Sequence, residues 1–160
     1  APELRVEIYG DGDSLAEIRT LAARLGVDEH VCFSGGFLPH EEVLERGRLA
    51  SVGVIPNLPT PLNRFALSTK LFEYVALGIP VVSADLPTIR EHFADSEVRY
   101  FRAGDADALG AALLDVRRDP ETAGQRAAAA RQRYEQYRWP LNASRYAALL
   151  NRLAATSARS

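Results

Sequence analysis

The sequence predicts an α/β fold, with a Rossmann-like, doubly wound parallel sheet followed by C-terminal helices. Short apolar segments typical of strands alternate with segments of helical periodicity, and mostly short loops join them, which favours parallel β-α units. In the last third of the chain only helical patterns continue. A chain of 160 residues with 47% hydrophobic and 25% charged residues suits a single globular domain, which we assign to residues 1–160.

The elements follow from apolar spacing and from the turn residues between them. Alternating apolar side chains predict a first strand over residues 4–9, and helical spacing then runs from Leu15 to Gly26. The same pattern repeats several times along the chain. Further strands are predicted over residues 31–33, 52–55, 81–83 and 98–101, and further helices over residues 40–49, 68–77, 86–93, 106–116, 121–137 and 141–155.

Composition excludes several function classes. The formal net charge of −2 provides no basic field for nucleic acid or for an anionic membrane surface. Cys32 is the only cysteine, so no internal disulfide is possible, and a buried, reduced thiol in a cytoplasmic protein is expected. No apolar run is long enough to span a bilayer, so any membrane association would need parts absent from this sequence. The chain runs directly into a strand, which is typical of a fragment of a longer protein.

Residues 68–80 combine a helix opening with a lysine and a carboxylate. Ser68 suits the N-cap of a short helix, and Gly78 with Pro80 ends it. Lys70 and Glu73 lie three residues apart on one face. Backbone N–H groups at a helix start favour phosphate, Lys70 adds a positive charge, and Glu73 can accept hydrogen bonds from sugar hydroxyls. This arrangement is typical of a nucleotide-sugar site.

An ordinary solvated helix end would show the same residues, so position decides between the two interpretations. The helix follows the strand candidate at residues 52–55 and precedes the one at residues 81–83. Its N-terminus is therefore expected at the carboxyl edge of a parallel sheet, where open α/β folds bind ligands.

No metal or organic cofactor is predicted. Asp11 and Asp13 flank Gly12 between a strand and a helix, where the turn needs glycine and Asp13 or Ser14 suits a cap. The three histidines are far apart in the sequence and show no metal-ligand spacing.

Five segments follow one another along the chain. They are Tyr9-Gly10-Asp11-Gly12, residues 31–35, residues 70–82, Arg90-Glu91 and Tyr137-Arg138-Trp139. In this order and spacing they resemble the C-terminal, donor-binding half of GT-B glycosyltransferases of the large group 1 (family 4) class. The resemblance covers nearly the whole chain and implies one half of a GT-B fold.

The resemblance implies roles for particular residues. The backbone amides at Ser68 and Thr69 would meet the diphosphate of a nucleoside diphosphate sugar, with Lys70 beside it. Glu73 would bind the ribose hydroxyls. The loop of Gly36, Phe37 and Leu38 would lie beside the nucleobase.

One position departs from the family pattern. The family often carries an acid eight residues before Glu73, yet Phe65 stands there and no acidic residue lies between Glu45 and Glu73. Asn57, Asn63 or Arg64 could contact the donor sugar instead, although each also suits a turn or a solvated surface.

The resulting hypothesis is the donor-binding domain of a retaining, metal-independent glycosyltransferase. Its partners would be the nucleotide-sugar donor and an N-terminal acceptor domain of the same enzyme, which is absent from this sequence. Two alternatives stay open: a GT-B-fold UDP-sugar epimerase, and a non-catalytic domain for nucleotide binding or assembly. Nucleotide titration would separate the last of these from the enzymes.

Overall fold

A computed structural model describes residues 4–157 of the chain. The chain divides into two compact units, residues 1–47 (unit 1) and residues 48–160 (unit 2). Each is an arrangement of parallel strands with helices between them. The predicted α/β class with parallel sheets is confirmed.

Unit 1 contains a two-stranded parallel sheet. Its strands are β1 (Val6–Ile8) and β2 (Val31–Phe33), paired so that Val6 lies opposite Val31. Helix α1 (Leu15–Arg24) connects them, and helix α2 (His40–Arg48) follows β2 up to the boundary of the unit. Ala22 on α1 is buried.

Unit 2 contains a three-stranded parallel sheet in the order β3-β4-β5, formed by Gly53–Ile55, Val81–Ala84 and Arg99–Phe101. All four residues of β4 are buried, which fits a central strand covered on both faces. The helices are α3 (Thr69–Leu77), α4 (Pro87–Arg90), α5 (Ala106–Arg118), α6 (Pro120–Tyr134) and α7 (Trp139–Ser157).

The core of unit 2 lies between its sheet and these helices. Helix α3 packs on β3 and β4 and also on α6, while α5 packs on β4 and β5. Leu71 and Val75, one turn apart on α3, are fully buried. Ile55 and Val82 of the sheet are fully buried too. Burying each such side chain contributes about 1.5–3 kcal/mol, so the inner face of α3 is firmly held.

Two expectations need correction. Cys32 is exposed and not buried, because side chains alternate along β2 and the half-buried neighbours Val31 and Phe33 occupy the other side of the strand. The short helix expected over residues 86–93 covers only Pro87–Arg90, and hydrogen-bonded turns continue to Phe93. Among residues 4–157, every helix is too short or too polar to span a membrane.

Candidate functional site

The N-terminus of α3 presents unpaired backbone donors. Ser68 occupies the N-cap with extended backbone angles, as predicted, but its side chain makes no capping hydrogen bond. The first intrahelical contact is from the Leu71 amide to the Ser68 carbonyl, at 3.2 Å. Within the part of the chain that the structure describes, the amides of Thr69 and Lys70 have no acceptor. These N–H groups and the helix dipole together favour an anion.

Helix α3 is held rigidly behind this end. Leu71 and Val75 are fully buried against the sheet. Gly78 adopts a left-handed conformation, φ 75°, and its N–H reaches back to the carbonyls of the last turn. Such a cap favours glycine because other residues are strained there. The sequence prediction for both helix ends is therefore confirmed.

Lys70 and Glu73 are on the part of α3 that is not fully buried. Lys70 is exposed and Glu73 is half-buried. Neither side chain forms an ion pair or a hydrogen bond with any residue in the range 4–157, and they do not pair with each other. Lys70 is also the only lysine of the chain, although lysine and arginine together number 19. Both charged groups are therefore available to a ligand.

Tyr74 fixes the register of α3 on the sheet. Its ring lies on the backbone of Gly53 in β3, where a side chain of any other residue would clash. Burial raises the pKa of the Tyr74 hydroxyl, and the charge of the neighbouring Glu73 adds to the increase. The contact sets the position of the Glu73 backbone, because the two residues are adjacent.

An aromatic cluster contacts α3 through the ring of Phe72. The ring of Phe72 packs edge-on against Tyr137, with centroids 5.2 Å apart, and tilts against Phe93 at 5.8 Å. The hydroxyl of Tyr137 lies 3.0 Å from Nδ1 of His92. Sequence reasoning did not find this cluster, since its members come from segments far apart in the chain.

The loop of residues 56–67 leads into α3. The side-chain amide of Asn63 donates to the Leu58 carbonyl at 2.8 Å, and the Asn63 backbone N–H donates to Thr60 Oγ1 at 3.2 Å. Asn63 is therefore a turn-forming residue here. Asn57 is half-buried and Arg64 is exposed, and neither side chain has a hydrogen-bond partner among residues 4–157.

Arg90, one of the residues that carried the resemblance, is occupied by structural contacts. Its guanidinium donates to both carboxylate oxygens of Asp85, at 2.7 and 2.8 Å, and to Asp95 at 2.7 Å. It also lies over the Tyr100 ring, 3.8 Å from the centroid. The hydrogen bonds from Arg90 lower the pKa of the Asp85 carboxyl. Arg90, the last residue of α4, thus connects this helix to the end of β4 and to the ring of Tyr100 in β5.

In unit 1, one serine connects the loops after both strands. Ser34 Oγ accepts a hydrogen bond from the Gly10 amide at 3.1 Å and donates to the Gly36 carbonyl at 2.6 Å. Phe37 beside it is 85% exposed, whereas Leu38 is half-buried. The predicted nucleobase loop is therefore anchored at Gly36 and exposes one aromatic ring. The anchoring role of Ser34 was missed, although a serine directly after a strand is a usable signal.

The Asp11 and Asp13 segment forms a turn. Asp11 Oδ1 accepts from the Gly12 amide at 2.9 Å, which is a local turn contact. Ser14 occupies the N-cap position of α1 without a side-chain hydrogen bond, so the expected capping contact is not formed there. Within residues 4–157, no three His, Cys, Asp or Glu side chains group closely enough to hold a metal ion.

Parallel strands with flanking helices define a Rossmann-like fold, the fold of one half of a GT-B glycosyltransferase. A family model described as glycosyl transferase-like matches residues 1–151, and the chain belongs to that family.

Relatives in sequence and in structure agree with this class. The GDP-mannose-dependent alpha-(1-6)-phosphatidylinositol monomannoside mannosyltransferase of Mycolicibacterium smegmatis is 30% identical over 154 residues, which are 94% of this chain and 40% of that protein. The phosphatidyl-myo-inositol mannosyltransferase of Mycobacterium leprae is 29% identical over 89% of this chain and 36% of its own. The chain thus spans about two fifths of the length of these relatives.

Solved structures show the same fold. Sucrose-phosphate synthase from Thermosynechococcus elongatus superposes with a TM-score of 0.82 at 22% identity, over 96% of this chain and 39% of that one. HepE from Anabaena, solved in complex with UDP and glucose, gives a TM-score of 0.80 at 18% identity over 94% of this chain and 41% of that one.

Proposed function

We propose that this chain is the donor-binding domain of a retaining glycosyltransferase that moves a sugar from a nucleoside diphosphate sugar to an acceptor hydroxyl. Family membership and the names of the relatives support transferase activity, and solved neighbours of the same fold hold UDP or UDP-glucose. The observation that carries the proposal is the N-terminus of α3, where two unpaired amides adjoin an unpaired lysine and carboxylate.

Each group at this end has a chemical role in the proposal. The amides at Ser68 and Thr69, together with the unpaired amide of Lys70, bind the diphosphate, and the Lys70 side chain neutralises part of its charge. Negative charge grows on the diphosphate as the bond to the sugar breaks, so these groups stabilise the transition state more than the bound donor. Glu73, about one turn along the helix, accepts hydrogen bonds from the ribose hydroxyls. The fixed packing of Tyr74 on Gly53 keeps this geometry.

The proposal assigns the other parts of the donor as the resemblance implies them. Gly36, Phe37 and Leu38 would bind the nucleobase. Asn57 and Arg64, whose side chains have no hydrogen-bond partner among residues 4–157, are the stronger sugar contacts, because the side-chain amide of Asn63 already holds the loop. No metal ion or organic cofactor is required, since lysine and helix amides supply the positive charge.

The proposal includes an N-terminal acceptor domain of the same enzyme. The chain spans 40% of the Mycolicibacterium relative, which leaves room for such a domain. Helix α7 supports the idea, because several of its large apolar side chains are exposed. These are Trp139, Leu141, Tyr146, Leu149, Leu150 and Leu153. We place the protein in the cytoplasm, because a single cysteine allows no internal disulfide and suits a reducing compartment.

Calorimetric titration tests the proposal. The 160-residue chain is titrated with UDP, GDP, UDP-glucose and GDP-mannose, with Mg²⁺ and then with EDTA. We expect at least one nucleotide to bind, with the same affinity under both conditions. Absence of binding by all four ligands at millimolar concentration would contradict donor binding, and binding only with Mg²⁺ would contradict the metal-independent mechanism.

A further inference from the structure

Phe65 is an exposed aromatic residue in the loop that leads to the candidate site. Its side chain is 86% exposed, whereas Leu67, two residues later, packs against the core of unit 2. A phenylalanine that buries so little surface leaves apolar area in water that a ligand can cover. The loop therefore turns Leu67 inward and leaves Phe65 outside.

The backbone that carries Phe65 is hydrogen-bonded. The Phe65 amide donates to the Leu62 carbonyl at 3.1 Å, and the Ala66 amide donates to the same carbonyl at 3.0 Å. Asn63 ties this turn to Leu58. The exposed ring is thus carried by a turn that backbone and side-chain hydrogen bonds hold in place.

Phe65 is close in sequence to the start of α3, which carries the proposed diphosphate site. Phe65 precedes Ser68 by three residues, so their Cα atoms lie within about 11 Å of each other. The side chains of Asn57 and Arg64 are the other groups of this loop that have no hydrogen-bond partner in the described range. These are polar groups that can meet sugar hydroxyls, but neither offers an apolar surface.

We infer that Phe65 stacks on the apolar C–H face of the donor sugar, an inference that rests on the proposed function. A pyranose has C–H groups on one face, and the negative face of an aromatic ring attracts them. The sequence between Glu45 and Glu73 contains no carboxylate that could bind the sugar from this loop. Stacking by Phe65, together with hydrogen bonds from Asn57 or Arg64, would let this loop bind the sugar without a carboxylate. Phe65 is thus a residue that distinguishes a sugar-bearing nucleotide from a bare one.

The test compares matched ligands on Phe65→Ala, Phe65→Trp and Leu62→Ala. Leu62 is 75% exposed in the same loop and serves as the control. Affinities for UDP and UDP-glucose, and for GDP and GDP-mannose, are measured by calorimetry on the 160-residue chain. We expect Phe65→Ala to weaken binding of the sugar nucleotide by about three- to tenfold while leaving the bare diphosphate within about twofold. Phe65→Trp should retain sugar-nucleotide affinity, and Leu62→Ala should change neither ligand.

Proton NMR gives a second readout. Stacking places sugar C–H protons over the ring, so their signals should shift upfield with the parent protein and not with Phe65→Ala. If Phe65→Ala weakens both ligands of a pair equally, or weakens neither, the stacking role is wrong while the donor site stands. If the parent protein binds no nucleotide, the proposed function fails and the inference fails with it.

Discussion

The ring of Tyr74 lies directly on the backbone of Gly53, so that a Cβ added at residue 53 would come closer than 3.0 Å to three ring atoms. This contact joins α3 to β3 and places the residue next to Glu73 against the sheet. The candidate site therefore depends on a glycine in a different element, because only glycine at position 53 leaves room for the Tyr74 ring.

Gly53→Ala should lower the free energy of unfolding by about 1–3 kcal/mol, because the new methyl group overpacks a fully formed contact. Chemical denaturation measures the change. Gly124→Ala is the matched control: no atom lies within 4 Å of a Cβ there, and alanine should stabilise helix α6 by about 0.5–1 kcal/mol. Equal stability of the Gly53 variant and the parent would contradict the packing described for Tyr74.

Glu73→Ala should weaken nucleotide binding without unfolding the domain. A ribose-facing carboxylate loses charged hydrogen bonds worth about 1.5–3 kcal/mol, which corresponds to about a tenfold loss of affinity or more. Calorimetry measures binding, and thermal melting checks the fold. Glu121→Ala, an exposed acid in the first turn of α6, is the control. A variant that binds normally but melts much lower would make Glu73 a structural residue.

Lys70→Ala should reduce affinity for a nucleoside diphosphate more than for the plain nucleoside. Lys70 has no partner among residues 4–157, so its loss removes a contact to phosphate and not an ion pair of the helix. As the only lysine, it can also be followed by amine acylation and peptide mapping, and bound diphosphate should protect it. Equal losses for both ligands, together with unprotected acylation, would show that Lys70 does not touch phosphate.

Tyr137→Phe should lower the free energy of unfolding by about 0.5–1.5 kcal/mol, the usual contribution of one hydrogen bond. The substitution removes the hydroxyl that lies 3.0 Å from His92 and keeps the ring against Phe72. Denaturant titration measures the free energy of unfolding, with Tyr146→Phe, at an exposed position of α7, as the control. The two variants would be equally stable if the contact to His92 contributed nothing.

Acid should destabilise unit 2 through its helix caps. The Ala108 amide and then Arg102 lower the pKa of Asp105, and the Thr122 amide lowers that of Asp119. A carboxyl whose pKa is lower in the folded state stabilises the fold above its unfolded pKa of about 3.9, and this contribution disappears as the pH falls through the folded pKa.

The variant Asp105→Asn with Asp119→Asn keeps side chains that can cap and removes both titrations. Unfolding free energies from pH 6 downward should therefore fall more steeply for the parent than for this double variant. Parallel curves would show that the two caps do not titrate between the folded and unfolded states.

Most of the elements could be predicted from the sequence, because each depends on a few neighbouring residues. Apolar spacing and the Ser68 and Gly78 positions predicted both ends of α3, and the structure confirms them. The same spacing predicted α5, α6 and α7 to within a few residues. The residues proposed for the nucleotide remain predictions, although the structure leaves Lys70 and Glu73 without partners among residues 4–157.

The sequence by itself determined the alternation of strands and helices and the family of the chain, since periodicity, caps and motifs are local. Only the tertiary structure decided which distant side chains meet. It placed Tyr74 on Gly53, committed Arg90 to Asp85 and Asp95, and exposed Cys32. The physical reason is that packing depends on every surface that competes for the same space, and no short segment contains that information.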